Sequence, residues 1–161
     1  MSRKGARAAV EPRWLTPDEL ETWRTLHLVM ATLPGALGGQ LQRDSELSFL
    51  EYYVLAGLSD QPDRTMRLSR LALLANSELS RLSHLMRRLE QRGLVRREPD
   101  PTDGRFTNAI LTPAGLAVLV DAAPGHVAQV RTSVFDVLDD EEQRVLRNAL
   151  GKVVSQLNDG C

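Results

Sequence analysis

The stretch that most constrains the fold runs from residue 76 to residue 112, and it begins with a two-faced helix. At about 100° per residue, residues 77–91 divide into an apolar face and a polar face. The apolar face, suited to burial, carries Leu79, Leu82, Leu85, Met86 and Leu89. The polar face lacks a carboxylate and carries Ser77, Ser80, Arg81, His84, Arg87, Arg88 and Gln91. Such a face suits a DNA groove, although a solvated basic face is the commoner interpretation of a basic helix taken alone.

The residues before this helix favour the DNA interpretation. Residues 69–75 predict a short helix with Ser69 as its N-cap. Asn76 and Ser77 predict a tight turn into the longer helix. Two helices joined in this way are typical of a helix-turn-helix, whose second helix reads DNA.

The residues after the helix predict a β-ribbon. Gly93 predicts the helix end, and residues 94–98 and 106–111 predict two strands around a turn-rich loop at 99–104. Residues 66–68 predict a short third strand. Asp103 lies two residues from Arg105 and is close enough to orient its guanidinium near the tip of the loop. The predicted fold class is therefore mainly α with a small β wing, a winged helix-turn-helix with a helical dimerisation region.

The motifs in this order resemble those of one known family. RLEQRGLVRR, a D-G-R loop and LTPAG opening another helix resemble the multiple antibiotic resistance regulator (MarR) family of bacterial transcription factors, over residues 15–157. The resemblance implies a homodimer on a pseudo-palindromic double-stranded DNA site, most often as a repressor. It implies that Asp103 is the wing aspartate of the family, that Arg105 is its minor-groove arginine, and that the polar face described above meets the major groove. A winged helix also serves as an architectural or protein-interaction module without sequence-specific readout, which is the alternative.

The charge distribution agrees with a localised DNA-binding lobe. The formal net charge of the chain is only −1. Residues 64–106, however, hold ten arginines against five acids, a net charge of +5, which leaves −6 for the rest of the chain. Positive charge concentrated in one lobe is the electrostatic signature of phosphate binding. Within this lobe, Arg67, Ser69 and Asn76 are further candidate phosphate contacts.

Helices are predicted on both sides of the lobe. Thr16, Ser48, Thr112 and Asp139 are predicted N-caps. We expect a kink or break in the first helix at residues 34–39, and a helix from residue 113 toward Leu138 that bends at residues 122–125. The apolar stripes of the terminal helices need a partner, which favours a dimer. The predicted organisation is a disordered tail at 1–13, an N-terminal dimerisation helix region at 14–47, the winged lobe at 48–112 and C-terminal dimerisation helices at 113–161.

The sequence offers little support for an enzyme. The three histidines lack metal-ligand spacing, and the chain has no P-loop, GxSxG or GxGxxG motif, so we expect no cofactor and no metal. The lone Cys161 excludes an intrachain disulfide. Without a signal peptide or an apolar span, we expect a cytoplasmic protein with no membrane association. Trp23, His27 and Tyr53 are favoured as ordinary core residues, and the resemblance makes a pocket for a small-molecule ligand the alternative.

Overall fold

The computed structural model of the protein describes residues 11–75 and 78–159, and this part of the chain is mainly helical. In chain order its elements are α1 (Pro17–Ser45), α2 (Phe49–Ser59), β1 (Thr65–Arg67), α3 (Leu68–Leu74), α4 (Leu79–Gln91), β2 (Val95–Pro99), β3 (Thr107–Leu111), α5 (Pro113–Val130), a π-helical segment (Arg131–Phe135) and α6 (Asp140–Asp159). The predicted fold class is confirmed. Asn76, Ser77, Cys161 and most of the tail predicted to be disordered lie outside the described residues.

Three antiparallel strands form the wing sheet, in the order β1-β3-β2. Ala109 of β3 pairs with Met66 of β1 on one side and with Arg97 of β2 on the other. The predicted third strand is confirmed, although Leu68 already belongs to α3. The sheet therefore joins the start of the helix-turn-helix to both strands of the ribbon.

The predicted helix starts are confirmed at four positions. Thr16 with Glu19, Ser48 with Glu51, and Asp139 with Glu142 form reciprocal hydrogen bonds, and the hydroxyl of Thr112 accepts from the Gly115 N–H. Each reciprocal pair satisfies two backbone donors that a helix start would otherwise leave unpaired. The prediction of Ser69 as an N-cap is wrong. Strand β1 leads directly into α3, so the N-cap position is Arg67, whose side chain makes no capping hydrogen bond.

A predicted break in α1 and the predicted length of α5 differ from the structure, whereas the kink and the bend predicted in these helices stay predictions. Helix α1 continues through Pro34 without a break. A proline removes a single backbone donor, and buried Leu37 and Leu41 hold the turns that follow. Helix α5 also continues through Pro124 but ends at Val130, where the π-helical segment begins, so one helix does not extend to Leu138.

The chain divides into two compact units, one ending at Thr32 and the other beginning at Leu33. The second unit contains a core formed by the end of α1 and the loop after it, α2, α3, α4, the sheet and the first half of α5. Its completely buried large side chains are Leu41, Leu47, Leu55, Leu58, Leu71, Leu82, Met86, Leu89, Val54 and Val95. The predicted apolar face of α4 is thus confirmed at Leu82, Leu85, Met86 and Leu89. Leu79 is 52% exposed, because the first residue of α4 lies beyond the core.

Two glycines fix the junction of α4, the wing and α5. Gly93 has a φ of 71° and ends α4 in the left-handed conformation, as its position predicts. Gly115 lies against the backbone before β2, where an added Cβ would be only 2.0 Å from the carbonyl oxygen of Leu94. The start of α5 is therefore packed against the base of the wing too closely for any side chain.

Candidate nucleic-acid interface

Helix α4 presents a polar face that is free of core contacts. Ser80, Arg81, His84, Arg87 and Arg88 are exposed along it, opposite the buried leucines. One side of α4 is therefore apolar and packs in the core, and the other side carries a row of hydrogen-bond donors. Donors in this arrangement can reach phosphate oxygens and the acceptor atoms at base edges.

A carboxylate from another helix lies against this face. Glu51 of α2 is only 7% exposed, and its Oε1 lies 3.5 Å from Nη2 of Arg88. Its Oε2 accepts a hydrogen bond of 2.8 Å from the Ser48 N–H. Sequence reasoning missed this contact. The capping box of α2 was visible in the sequence, but the packing of α2 beside α4 was not.

A cleft of about 690 Å³ separates the start of α2 from the polar face of α4. It is lined by Ser48, Phe49, Leu50, Ser80, Arg81, His84, Leu85 and Arg88. Four of the predicted recognition-helix residues therefore share one concave surface. Arg87 lies beside it, with Nη1 3.5 Å from Nδ1 of His84.

The tip of the wing carries an ion pair between Asp103 and Arg105, as predicted. Arg105 donates to Asp103 from Nη2 at 2.7 Å and from Nε at 2.9 Å, and its side chain is 85% exposed. These hydrogen bonds lower the pKa of Asp103 and raise the pKa of Arg105. The pair therefore keeps both charges and projects an oriented guanidinium from the wing.

The base of the wing is built around the buried carboxylate of Asp100. One oxygen accepts from the Thr102 hydroxyl at 2.6 Å, the Thr102 N–H at 2.9 Å and the Asp103 N–H at 3.3 Å. The other accepts from Nε of Arg67 at 2.8 Å. The Thr102 hydroxyl and then Arg67 hold the pKa of Asp100 far below its usual range. The loop that carries Arg105 is thus tied to β1 through an ionised side chain.

Arg67 has a structural partner on each side of its guanidinium. Besides its bond to Asp100, it lies over the ring of Phe106, 4.7 Å from the centroid. Of the other candidate phosphate contacts, Ser69 is exposed on α3 and Asn76 lies outside the described residues.

A second ion pair joins α4 to the wing. The carboxylate of Glu90 accepts from the backbone N–H of Arg97 at 3.0 Å, from its Nε at 3.0 Å and from its Nη2 at 2.6 Å. These hydrogen bonds lower the pKa of Glu90, which therefore stays ionised. The recognition-helix candidate and the wing are consequently held in a fixed relation, which neither element achieves alone.

The prediction that Trp23, His27 and Tyr53 are ordinary core residues is wrong. Trp23 is 50% exposed and Tyr53 is 46% exposed, and His27 is also exposed. In the first unit, the rings of Trp23 and His27 lie 6.1 Å apart. In the second unit, Tyr53 lies 4.5 Å from the ring of Phe49. About half of the surface of Trp23 and of Tyr53 therefore stays exposed despite these ring contacts.

A buried polar group lies between α2 and α5. His126 is buried, and its ring lies 4.2 Å from the ring of Tyr52. Among the described residues, neither its Nδ1 nor Oε1 of the buried Gln40 has a hydrogen-bond partner. Burial lowers the pKa of His126, because the charged imidazolium would lose its hydration.

Within residues 11–75 and 78–159, no group of three His, Cys, Asp or Glu side chains could hold a metal ion. In the same part of the chain, no helix has the length and apolar character needed to cross a membrane.

Comparison with known proteins identifies relatives of this geometry. The sequence model of the MarR family matches residues 45–105. Sco3205 of Streptomyces coelicolor, a MarR family transcriptional regulator solved in complex with DNA, has 42% sequence identity and a TM-score of 0.84, covering 89% of this chain and 94% of that one. The transcriptional regulator HosA of Escherichia coli O111:H- is 36% identical over 112 residues, which are 68% of this chain and 79% of HosA. The HTH-type transcriptional regulator MhqR of Bacillus subtilis (strain 168) is 33% identical over 72 residues, and the match spans only 49% of that protein.

Proposed function

Because the chain belongs to the MarR family of DNA-binding transcription regulators, we propose that it acts as a homodimer that represses transcription from a pseudo-palindromic site. The observation that carries this proposal is the pairing of an exposed polar face on α4 with an oriented arginine on the wing. One element offers donors to base edges, and the other offers a single cation to a narrow groove. The DNA complex of Sco3205 supports the same use of the fold.

We assign distinct roles to the residues of this surface. Ser80, Arg81 and His84 lie along the cleft of α4 and would read base edges in the major groove. Ser77, Arg87 and Arg88 complete the recognition-helix set. Arg105, oriented by Asp103, would enter the minor groove beside it. Arg67 and Ser69 remain candidate phosphate contacts, as does Asn76, which lies outside the described residues.

The homodimer is supported by apolar side chains that the single chain leaves uncovered. Helix α6 has 20 residues, and none of those described is buried. Its exposed apolar side chains are Val145, Leu146, Leu150, Val153, Val154 and Leu157. An exposed apolar stripe of this length marks a protein interface rather than a solvated surface. A two-fold interface through the terminal helices would place two α4 helices on successive major grooves, about 34 Å apart.

We also propose that a small-molecule ligand lowers DNA occupancy. Trp23 and His27 in the first unit and Tyr53 in the second are all exposed, and each is a candidate contact for such a ligand. A ligand can only act through a difference in its affinity for the DNA-competent and incompetent states. The spacing of the two α4 helices is the geometric property that such a ligand would change.

The proposal is tested by sequencing the genomic fragments that the purified protein retains and footprinting the protein on them. We expect an inverted repeat with half-sites about one helical turn apart, protected by two chains. Retention of unrelated fragments, with no shared motif, would favour the architectural or protein-interaction module instead.

A further inference from the structure

The carboxylate of Glu51 lies against the proposed DNA-reading face, beside Arg88. The residue is 7% exposed, and its carboxylate has partners on two sides, the Ser48 N–H at 2.8 Å and Arg88 at 3.5 Å. The N-terminus of α2, where Glu51 occupies the third position, favours a negative charge. The carboxylate of Glu51 is therefore positioned against one of the arginines of α4.

This arrangement is not needed for stability. A glutamine in the third position of a capping box also accepts from the N-cap N–H, so the cap does not require the charge. Arg88 is 62% exposed, and an ion pair with such an exposed partner contributes little to folding. A carboxylate beside a phosphate-binding surface also repels DNA. Its effect must therefore be sought in how Arg88 meets DNA.

We propose that Glu51 is a specificity-determining residue, which holds Arg88 in one place and so denies it to the phosphates of unrelated DNA. The inference rests on the proposed reading of DNA by α4. Nonspecific affinity for DNA comes almost entirely from lysine and arginine side chains that contact the phosphates of any duplex. The negative charge of Glu51 offsets part of the positive potential that Arg88 presents to DNA, and the ion pair restricts the positions of the guanidinium. Only a duplex that binds in the register of the specific site places an acceptor atom within reach of the Arg88 guanidinium in the position that Glu51 gives it.

Glu51→Gln tests this directly, because it removes the charge and keeps the capping box. Glu46→Gln is the matched control, since it removes the same charge from an exposed position in the loop between α1 and α2. Arg88→Gln and the double variant complete a cycle that isolates the coupling between the two side chains. Each full-length protein is titrated with the retained genomic site and with a random duplex at several salt concentrations, after circular dichroism has shown an unchanged melting temperature.

We expect Glu51→Gln to bind the random duplex several-fold more tightly, to bind the genomic site no more tightly, and so to lose at least about threefold in specificity ratio. The salt slope on random DNA should grow by about one per α4 helix, because each freed arginine displaces counterions. In the Arg88→Gln background the same substitution should change nothing. Glu46→Gln should affect both duplexes equally.

The inference is overturned by an unchanged specificity ratio, or by an effect of Glu51→Gln that persists without Arg88. If Glu51→Gln does not fold, Arg88→Gln alone tests the inference. It should reduce the affinity for the genomic site more than the affinity for the random duplex, and an equal reduction for both overturns the inference. A wild-type protein with no preferred site would instead overturn the proposed function. If the wild-type protein prefers the genomic site and Glu51→Gln has the same specificity ratio, this inference is overturned and the proposed function stands.

Discussion

Replacing Arg105 with alanine separates the wing's role in DNA binding from any role in folding. The side chain is 85% exposed, and its hydrogen-bond partner is Asp103, within the same loop. The buried residues of the core are untouched, so the melting temperature and the oligomeric state should not change. The affinity for the retained genomic site should fall sharply, because the oriented cation of the wing is lost.

The size of the effect follows from counterion release. A protein–DNA contact to one phosphate contributes about 0.9 to the slope of log affinity against log salt. Two wings per dimer should therefore reduce the slope by about 1.8 in Arg105→Ala. Between about 50 and about 200 mM salt, the affinity gap between wild type and variant should then shrink roughly tenfold.

Fluorescence anisotropy with the genomic site, over a salt titration, measures both quantities. Arg144→Ala is the matched control, because Arg144 is also exposed and paired with a nearby acid, Glu141. Arg144 lies on the side of α6 opposite the apolar stripe. Asp103→Ala should give a milder loss, since Arg105 keeps its charge and loses its orientation. Equal binding of wild type and Arg105→Ala at every salt concentration would refute the assignment of the wing to DNA.

Further predictions concern the core, the buried imidazole and the terminal helix. Gly115→Ala should lower the free energy of unfolding by about 1–3 kcal/mol or more, because the backbone carbonyl of Leu94 cannot move aside. Gly151→Ala is the control, since Gly151 has open space around it and the substitution should not destabilise the protein. Equal melting temperatures for the two variants would contradict the close approach at Gly115. His126 has a lowered pKa in the folded chain, so its contribution to stability is complete above the unfolded value of about 6.5 and is lost as pH falls through the folded pKa. The melting temperature should therefore decrease as the pH falls below about 6.5, and His126→Phe should flatten this decrease; an unchanged profile would exclude His126 as its source. Removing α6 should leave a folded monomer by sedimentation, since α6 adds no buried side chain to the core, and a persisting dimer would contradict the proposed interface.

The features predictable from sequence are those set by neighbouring residues. The buried face of α4 follows from its helical period, and the pairing of Asp103 with Arg105 needs only two residues of separation. The helix starts at Ser48 and Thr112 depend on side chains within one turn. Local chemistry decides each of these before the chain is folded.

The features missed depend on how elements pack. The contact of Glu51 with Arg88 requires α2 beside α4, and that of Arg67 with Asp100 requires β1 beside the wing loop. Neither pair lies within one element, so no periodicity predicts them. The exposure of Leu79 has the same origin, because a helical wheel assigns a face but not the point at which the core ends. The relation between α4 and the wing is therefore a property of the tertiary structure.

The central claim is that this chain chooses its DNA by sequence. The most direct measurement is the affinity of the purified wild-type protein for its retained genomic site and for a shuffled duplex of equal length, at one fixed salt concentration near the physiological value. Direct base readout predicts that the genomic site binds at least about 10³-fold more tightly. Affinities within a few-fold of each other, both falling steeply with salt, would contradict the claim and leave only phosphate binding.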